Sequence, residues 1–386
     1  MSFRKGMIIG AFTLATALIP ACNPPEKEAS VTTREVADID FPVVASSLDG
    51  YPATADDKDA LASDNPSIYV LIQARSRTGH QVYYSTAAEA EIGGKHIGEA
   101  FPDGHSANAA RTVEFPVFQW DESRYGPIEI EWSELVAEKG FYNNTVRGQS
   151  DITYKEKPAG KGWVMKPAPG THRYRVKVRY SGNEIGDMQE ISLGKDGKIS
   201  GIHRVTVRDG NDIPGWMTAW ANLPYIYGST TEQVDNLIGA DCADVITGAL
   251  RRMGSRASDT SSQGFRPYGS VVFDGYLNMQ GEFLDISRKR PETIGIRRGD
   301  LLVYKGSQHH VAVFADDLTR NGEPVDVVHT YDGKGVHRDV LYSKPGDEMH
   351  ESQKKLYELF GMNARPRRRI ESADKRLDRI EIIRIR

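Results

Sequence analysis

Alternation of apolar and polar residues restricts the first half of this chain to β structure. Tyr174, Val176 and Val178 alternate with arginine and lysine, and apolar residues around Ile130 alternate with glutamate. A period of two places one side of a strand in a core and the other side in water. Several such stretches lie between Gly, Pro, Asn and Asp turns, with no convincing long helix. They predict a β-sandwich-like domain over residues 41–208.

The pattern changes to a mixture of helices and strands after residue 208. A helix is expected to open at Asp241, because apolar residues follow it at helical spacing and Gly254 can end the helix. Alternating stretches return at 301–304, 310–315, 325–329 and 379–385, and residues 255–295, rich in Ser, Gly and Arg, are interpreted as an insertion. The sequence therefore predicts a second domain over 209–386, which we expect to fold by itself.

Size and charge limit the function classes. The chain has 386 residues, of which 39% are hydrophobic and 26% charged, enough for two folded domains and too apolar for a disordered chain. The formal net charge of -4 excludes nucleic-acid binding through a general electrostatic field. The two cysteines, Cys22 and Cys242, exclude a disulfide scaffold and a four-thiolate zinc site.

The N-terminus has the order of an export signal. Arg4 and Lys5 precede an apolar run of about 14 residues that ends in small residues before Cys22. This run is shorter than the roughly 20 residues that span a bilayer. We expect residues 1–21 to be removed and the polar residues 22–40 to be a tether.

The junction Ile19-Pro20-Ala21-Cys22 resembles the lipobox of bacterial lipoproteins. The resemblance implies that Cys22 carries lipid, and several acyl chains give stable membrane attachment. Asn23 replaces the aspartate that retains such proteins at the inner membrane, which favours the periplasmic face of an outer membrane. The alternative is a plain signal peptide followed by a fortuitous cysteine.

Cys242 is the one thiol left if Cys22 is lipidated, and an unpaired cysteine in an exported protein calls for a reason. If Asp241 caps the helix, Cys242 lies in its first turn, where backbone N–H groups favour a thiolate. Asp241 and Asp244 act in the opposite direction, because like charges raise the pKa of a thiol. A neighbouring imidazolium would restore the thiolate, so alkylation is expected to titrate well below pH 8.5. The alternative is an inert cysteine.

Two histidines are candidates for that partner. His310 and His329 lie in consecutive predicted strands. A long loop over 316–324 places them within one residue of each other, whereas a tight turn at Asn321-Gly322 offsets them by roughly 13 Å. A thiol facing two imidazoles suits a nucleophile, a base and an orienting group. His309 is a competing base, but alternation sends it to the other face from His310.

Five short segments, spread over about 105 residues, carry a resemblance to the NlpC-type family of bacterial cell-wall peptidases. They are Pro224-Tyr225-Ile226-Tyr227-Gly228, Asp241-Cys242, Gly299-Asp300-Leu301, His310-Val311-Ala312-Val313-Phe314 and Val328-His329.

The resemblance implies an α+β fold, with a β-sandwich domain followed by a papain-like domain in which helices pack on an antiparallel sheet. It also implies that Cys242 is the nucleophile, that His310 is the general base and that His329 orients it. Tyr225 and Asp241 would belong to the substrate and oxyanion pocket. Such enzymes cleave amide bonds in peptidoglycan stem peptides and need no cofactor.

This chain departs from the family pattern at two points. Ala243-Asp244 follows Cys242 where the family has Ser-Gly, and Ser229 replaces a second glycine. Asp244 is expected to add a charge at the rim of the substrate site.

The sequence thus predicts a lipid-anchored thiol hydrolase whose partners are peptidoglycan peptides, the membrane and, through the β domain, a possible protein. One alternative is an inactive wall-binding module of the same fold, and another is a thiol acyltransferase acting on lipids. A zinc site made by Cys242, His310 and His329 fits by ligand type, but no fourth ligand is indicated.

Overall fold

The structure is a computed structural model that describes residues from Val36 onward. The predicted signal peptide, Cys22 and most of the tether lie outside the described residues. The described ranges are 36–47, 58–76, 81–85, 117–137, 152–186, 197–199, 202–278, 283–289, 291, 295–305, 309–315, 326–331, 334–340 and 377–386.

Strands dominate the first half of the described chain. The short helix α1 (Glu122–Tyr125) is capped by Asp121, whose side chain accepts a hydrogen bond from the Ser123 N–H. In chain order the strands are β1 (Val36–Ser47), β2 (Lys58–Leu61), β3 (Ser67–Ser76), β4 (Gln81–Ser85), β5 (Val117–Gln119), β6 (Ile128–Ala137), β7 (Tyr154–Lys161), β8 (Val164–Met165), β9 (Gly170–Tyr180), β10 (Asn183–Gly186) and β11 (His203–Arg208).

These strands form two sheets that share a core. One sheet has the order β1-β3-β4-β5 with β8 beside β3, and the other has the order β2-β11-β9-β6-β7 with β10 beside β9. Ile72 of β3 and Trp132 of β6 belong to one buried apolar cluster, together with Val176 and Val178 of β9. The alternation read from Tyr174 to Val178 therefore marks the core-facing side of β9, as expected.

The second half adds three helices and a third sheet. Helices α2 (Ile213–Met217), α3 (Thr231–Asp235) and α4 (Cys242–Arg252) come first. The sheet is antiparallel and has the order β13-β12-β18-β14-β15-β16-β17. Its strands are β12 (Gly269–Asn278), β13 (Phe283–Asp285), β14 (Leu301–Tyr304), β15 (His310–Phe314), β16 (Asp326–Tyr331), β17 (Lys334–Val340) and β18 (Leu377–Ile385).

Helix α4 packs on one face of the third sheet. Its buried residues Val245 and Ile246 share a cluster with Val311 and Val313 of β15. The opposite face, which carries Phe314, contributes to a separate cluster. Because neighbouring residues of β15 point to opposite faces, the two clusters identify the side on which each β15 residue lies.

The two halves of the chain meet through buried contacts. Ile152 packs with Ile226 and Ile238, and the Arg173 guanidinium donates to the Leu237 carbonyl at 2.7 Å. A mixed fold with mostly sheet and few helices is confirmed, whereas a domain boundary near residue 208 stays a prediction. Among the described helices, none is long and apolar enough to cross a membrane.

Candidate active site

Cys242 is the first residue of α4. Asp241 caps this helix as expected, because its Oδ1 atom accepts hydrogen bonds from the N–H groups of Ala243 and Asp244, both at 2.9 Å. The Cys242 side chain is buried, with an exposed fraction of 9%. The local sequence thus places a buried thiol at the positive end of an eleven-residue helix.

Asp241 also fixes the segment that carries Tyr225. Its Oδ2 atom accepts a hydrogen bond of 3.1 Å from the Gly228 N–H, where the backbone has a φ of 69°. The Ile226 N–H donates to the Ala240 carbonyl at 3.2 Å. One carboxylate therefore ties both the helix start and the Tyr225 segment together, which is a structural reason for an aspartate beside Cys242.

Tyr225 is close enough to Cys242 to interact with it electrostatically. Burial raises the pKa of the Tyr225 hydroxyl, and negative charge on Cys242 and on Asp241 raises it further. The hydroxyl therefore keeps its proton at neutral pH. A protonated hydroxyl beside the sulfur can donate a hydrogen bond to an oxyanion that forms there.

The environment of Cys242 disfavours the thiolate. Burial is the largest cause, and with the charges of Asp241 and Asp244 it raises the pKa of the thiol to about 12. Hydrogen bonds from the N–H groups of Val311 and Ala243 act in the opposite direction and are outweighed. The expectation that the thiol titrates well below pH 8.5 is therefore wrong.

His310 and His329 are in direct contact. Nε2 of His310 lies 2.9 Å from Nδ1 of His329, and the two rings are nearly edge to face. Both side chains are buried, at 4% and 0% exposure. Two imidazoles from adjacent strands therefore share one hydrogen bond inside the protein.

The register of β15 and β16 explains this contact. Val313 lies opposite Val328 and Phe314 opposite Val327, which excludes the tight turn at Asn321-Gly322. The loop over 316–324 lies outside the described residues. If this register is continued along the strands, His310 lies two residues away from the position that faces His329. The expected offset was one residue, and an even offset keeps both side chains on the same face.

His310 is held in its neutral form. Burial lowers its pKa well below the usual value, and positive charge on His329 or on His337 would lower it further. Cys242 and His310 are both uncharged at neutral pH, so the predicted thiolate–imidazolium pair is not the resting state.

The Cys242 sulfur meets β15 beside His310. The N–H of Val311, the residue after His310, is near enough to the sulfur to favour its thiolate form. The His310 ring lies on the other face of the strand, near the ring of Tyr304 at a centroid distance of 6.0 Å, on the side of Phe314. The structure thus brings the sulfur to the backbone next to His310 and directs the imidazole toward His329.

His309 has different surroundings. It directly precedes β15, is exposed, and its Nδ1 atom accepts a hydrogen bond from the Gln263 side-chain amide. Alternation places it on the side of Val311, opposite to His310. His309 therefore stays the alternative base.

Asp244 is not at an exposed rim. Its side chain is buried and accepts a hydrogen bond of 2.5 Å from the Ser229 hydroxyl, whose oxygen also accepts one from the Asp241 N–H. Burial, followed by the charge of Asp241, raises the pKa of Asp244 to about 7. The expected charge at the substrate rim is therefore wrong. Asp244 and Ser229, which both depart from the family pattern, bind each other.

Sequence reasoning missed His337. It lies on β17 opposite His329, with ring centroids 4.8 Å apart. The dipeptide Asp332-Gly333 is typical of the sequences that form two-residue hairpin turns, and it predicts that the strands on either side of it pair. Regular pairing around a two-residue turn would place residue 336 opposite His329. The pairing is irregular between His329 and Tyr331, and His337 lies opposite His329 instead.

Within the described ranges, no group of three or more His, Cys, Asp and Glu side chains is arranged to hold a metal ion. Comparison with family models, curated proteins and solved structures finds no match to this chain.

Proposed function

We propose that the chain is a thiol hydrolase that cleaves amide bonds in peptidoglycan stem peptides. One observation carries the proposal. Cys242 begins a helix with its sulfur against the backbone beside His310, while His310 is hydrogen-bonded to His329. A thiol, a base and an orienting group on three adjacent elements are the parts that nucleophilic acyl transfer requires.

The chemistry starts from neutral partners. The Cys242 sulfur attacks the amide carbonyl carbon as its proton passes to Nδ1 of His310. Nε2–H of His310 donates to His329 in this tautomer, which leaves Nδ1 as the base. The imidazolium then protonates the leaving amine, and water hydrolyses the thioester. The Tyr225 hydroxyl donates to the oxyanion.

This route requires the His310 ring to turn toward the sulfur when substrate binds. Catalytic hydrogen bonds are often long in the unliganded state and tighten in the complex with substrate. Because the ring lies on the face of β15 opposite to the sulfur, rotation of the side chain is not sufficient, and the backbone at the start of β15 must shift as well.

The domain organisation and the membrane anchor are part of the same proposal. A β-sandwich-like domain over 41–208 is supported by two sheets with a shared core, and a papain-like domain over 209–386 by a helix with an N-terminal cysteine on an antiparallel sheet. Lipid on Cys22 would anchor the chain at the periplasmic face of an outer membrane. Peptidoglycan is then within reach.

A binding module that retains wall peptides without cutting them is the second candidate. It is favoured by the raised pKa of Cys242 and by the buried carboxyl of Asp244 near the thiol. In such a module the pocket binds the peptide, but the Cys242 thiol does not act as a nucleophile.

The test is incubation of the mature chain, with Cys22 changed to Ser, with purified wall fragments, followed by mass spectrometry of the products. The hydrolase predicts new amines and carboxylates that disappear in Cys242→Ser. The binding module predicts no products and the same affinity for wall fragments in both proteins. A thioester to a lipid on Cys242 would instead identify an acyltransferase.

A further inference from the structure

Three histidines lie in a row across the strands β15, β16 and β17. His310 contacts His329 through a hydrogen bond, and His329 lies opposite His337 in the ladder. The ring of His329 is fully buried and has His310 at 5.2 Å on one side and His337 at 4.8 Å on the other, measured between ring centroids. His337 itself is half-buried on the edge strand.

We propose that His337 is a positioning residue whose ring holds His329 in the one orientation that hydrogen-bonds His310. This inference rests on the proposed function for its catalytic meaning, but the contact it describes exists without substrate.

The physical reason is the near symmetry of an imidazole ring. A half-turn of the His329 ring about its last side-chain bond exchanges Nδ1 with a carbon, and the hydrogen bond to His310 is then lost. On the side of β15, the hydrogen bond to His310 opposes this rotation. On the side of β17, the ring of His337 packs 4.8 Å away at a tilt of 39° and restricts the rotation sterically.

His337 also adds to the electrostatics of the row. A positive charge on it disfavours a proton on His310. The neighbouring rings therefore favour a neutral His310, in which one nitrogen donates and the other accepts. A neutral ring with a fixed tautomer is what His310 needs to act as a base.

A metal role for the row has no support. The three rings are arranged in series, since His310 and His329 point nitrogens at each other, and no group of three possible ligands converges among the described residues. Orientation is the role that remains for His337.

The experiment is nitrogen NMR of the histidine rings in the mature chain, without substrate, because ring-nitrogen shifts distinguish the two neutral tautomers. His310→Gln and His329→Gln assign the signals. In the wild type we expect one tautomer at each of His310 and His329. His337→Ala should give averaged signals at His329, and His337→Phe, which keeps a ring of similar size, should restore the wild-type pattern.

The kinetic counterpart separates positioning from a merely structural role. His337→Ala should lower kcat by roughly tenfold to a hundredfold, the scale expected for a misplaced catalytic group, while KM changes little. His337→Phe should recover most of kcat. If His337→Ala does not fold, His337→Leu replaces it as the variant without a ring.

Wild-type tautomer signals in His337→Ala, or signals in His337→Phe as averaged as those of the alanine variant, would overturn the inference. Absence of wall-peptide cleavage by the wild type would instead refute the proposed function and leave the NMR result standing. His309→Ala is the matched control for the spectra. It removes one exposed ring from the same strand end and should leave the tautomers of His310 and His329 unchanged.

Discussion

Nε2 of His310 and Nδ1 of His329 lie 2.9 Å apart although the two residues are not directly opposite in the ladder. The contact is diagonal across two strands and completely inside the protein. It makes the pair one unit, so a change in either ring alters the hydrogen bonding of the other.

The first prediction concerns this pair. His310→Ala should abolish hydrolysis of wall fragments, because no base would then receive the thiol proton. His329→Ala should slow turnover by roughly a hundredfold and leave KM nearly unchanged, because its role is orientation. Product formation followed by mass spectrometry measures both. His309→Ala is the control and should retain near wild-type rates. If His309→Ala is inactive and His310→Ala active, the base has been assigned to the wrong residue.

The sequence predicted the site in part. Asp241 before an apolar helical stripe is a local signal, and the cap on α4 formed as expected. The sequence predicted that His310 and His329 lie close together on adjacent strands, but an offset of one residue would have placed their rings on opposite faces. The observed offset of two residues puts both rings on one face, where they form the hydrogen bond.

Other features depend on tertiary structure and have no local signal. The pKa of Cys242 is set mainly by burial, which the helix start alone does not reveal. The place of His337 depends on a register irregularity in β16. Strand β12 lies in a segment rich in Ser, Gly and Arg that was interpreted as an insertion. Val271, Val272 and Phe273 favour a strand, but the pairing of β12 with β18, about 100 residues later, has no local signal.

The second prediction concerns the reactivity of Cys242. With a thiol pKa of about 12, alkylation by iodoacetamide should be slower at pH 8 than that of an ordinary cysteine, and its rate should keep rising above pH 9. Asp244→Asn removes a like charge and should increase the rate at a given pH. Glu129→Gln, at an exposed carboxylate of the second sheet, is the control and should change nothing. A titration midpoint below pH 8.5 in the wild type would contradict this assignment.

The third prediction concerns stability and pH. The pKa of Asp244 rises from 3.8 to about 7 on folding, so the folded state binds the proton more tightly than the unfolded state does. The contribution of Asp244 to the free energy of unfolding is therefore fully present below about pH 4 and is lost as the pH rises through 7. The slope should not exceed about 1.4 kcal/mol per pH unit.

Asp244→Asn keeps a neutral side chain at all pH values and should flatten this dependence. Urea unfolding of both proteins at pH 5, 6, 7 and 8 measures the effect. As the pH rises, the free energy of unfolding of the variant should increase relative to that of the wild type. Parallel stability curves for the two proteins would show that Asp244 does not titrate in this range.

The fourth prediction concerns export. Residues 1–21 should be absent from the mature protein, and Cys22 should carry lipid, because the junction at Ile19-Pro20-Ala21-Cys22 resembles a lipobox. Cys22→Ser should release the protein from the membrane fraction. Fractionation with mass spectrometry of the N-terminal peptide measures both. A serine variant that stays with the membrane without accumulating precursor would refute lipidation.

The last prediction concerns the contact between the two halves of the chain. The Arg173 guanidinium is buried and donates to the carbonyls of Gly197 and Leu237, at 3.1 and 2.7 Å. Arg173→Met should leave both acceptors without this donor and lower the free energy of unfolding by about 2 kcal/mol. Arg179→Met, at a side chain of the same strand that is 48% exposed, is the control and should cost much less.

The same contact bears on the expectation that residues 209–386 fold by themselves. Without the first half, the Leu237 carbonyl loses its donor, and Ile226 and Ile238 lose the cover of Ile152. Ile226 adjoins Tyr225, so the segment beside the thiol should loosen. We expect the fragment to be less stable than the full chain and its Cys242 to react faster with iodoacetamide at pH 8. Equal stability and equal alkylation rates would mean that the first half does not support the site.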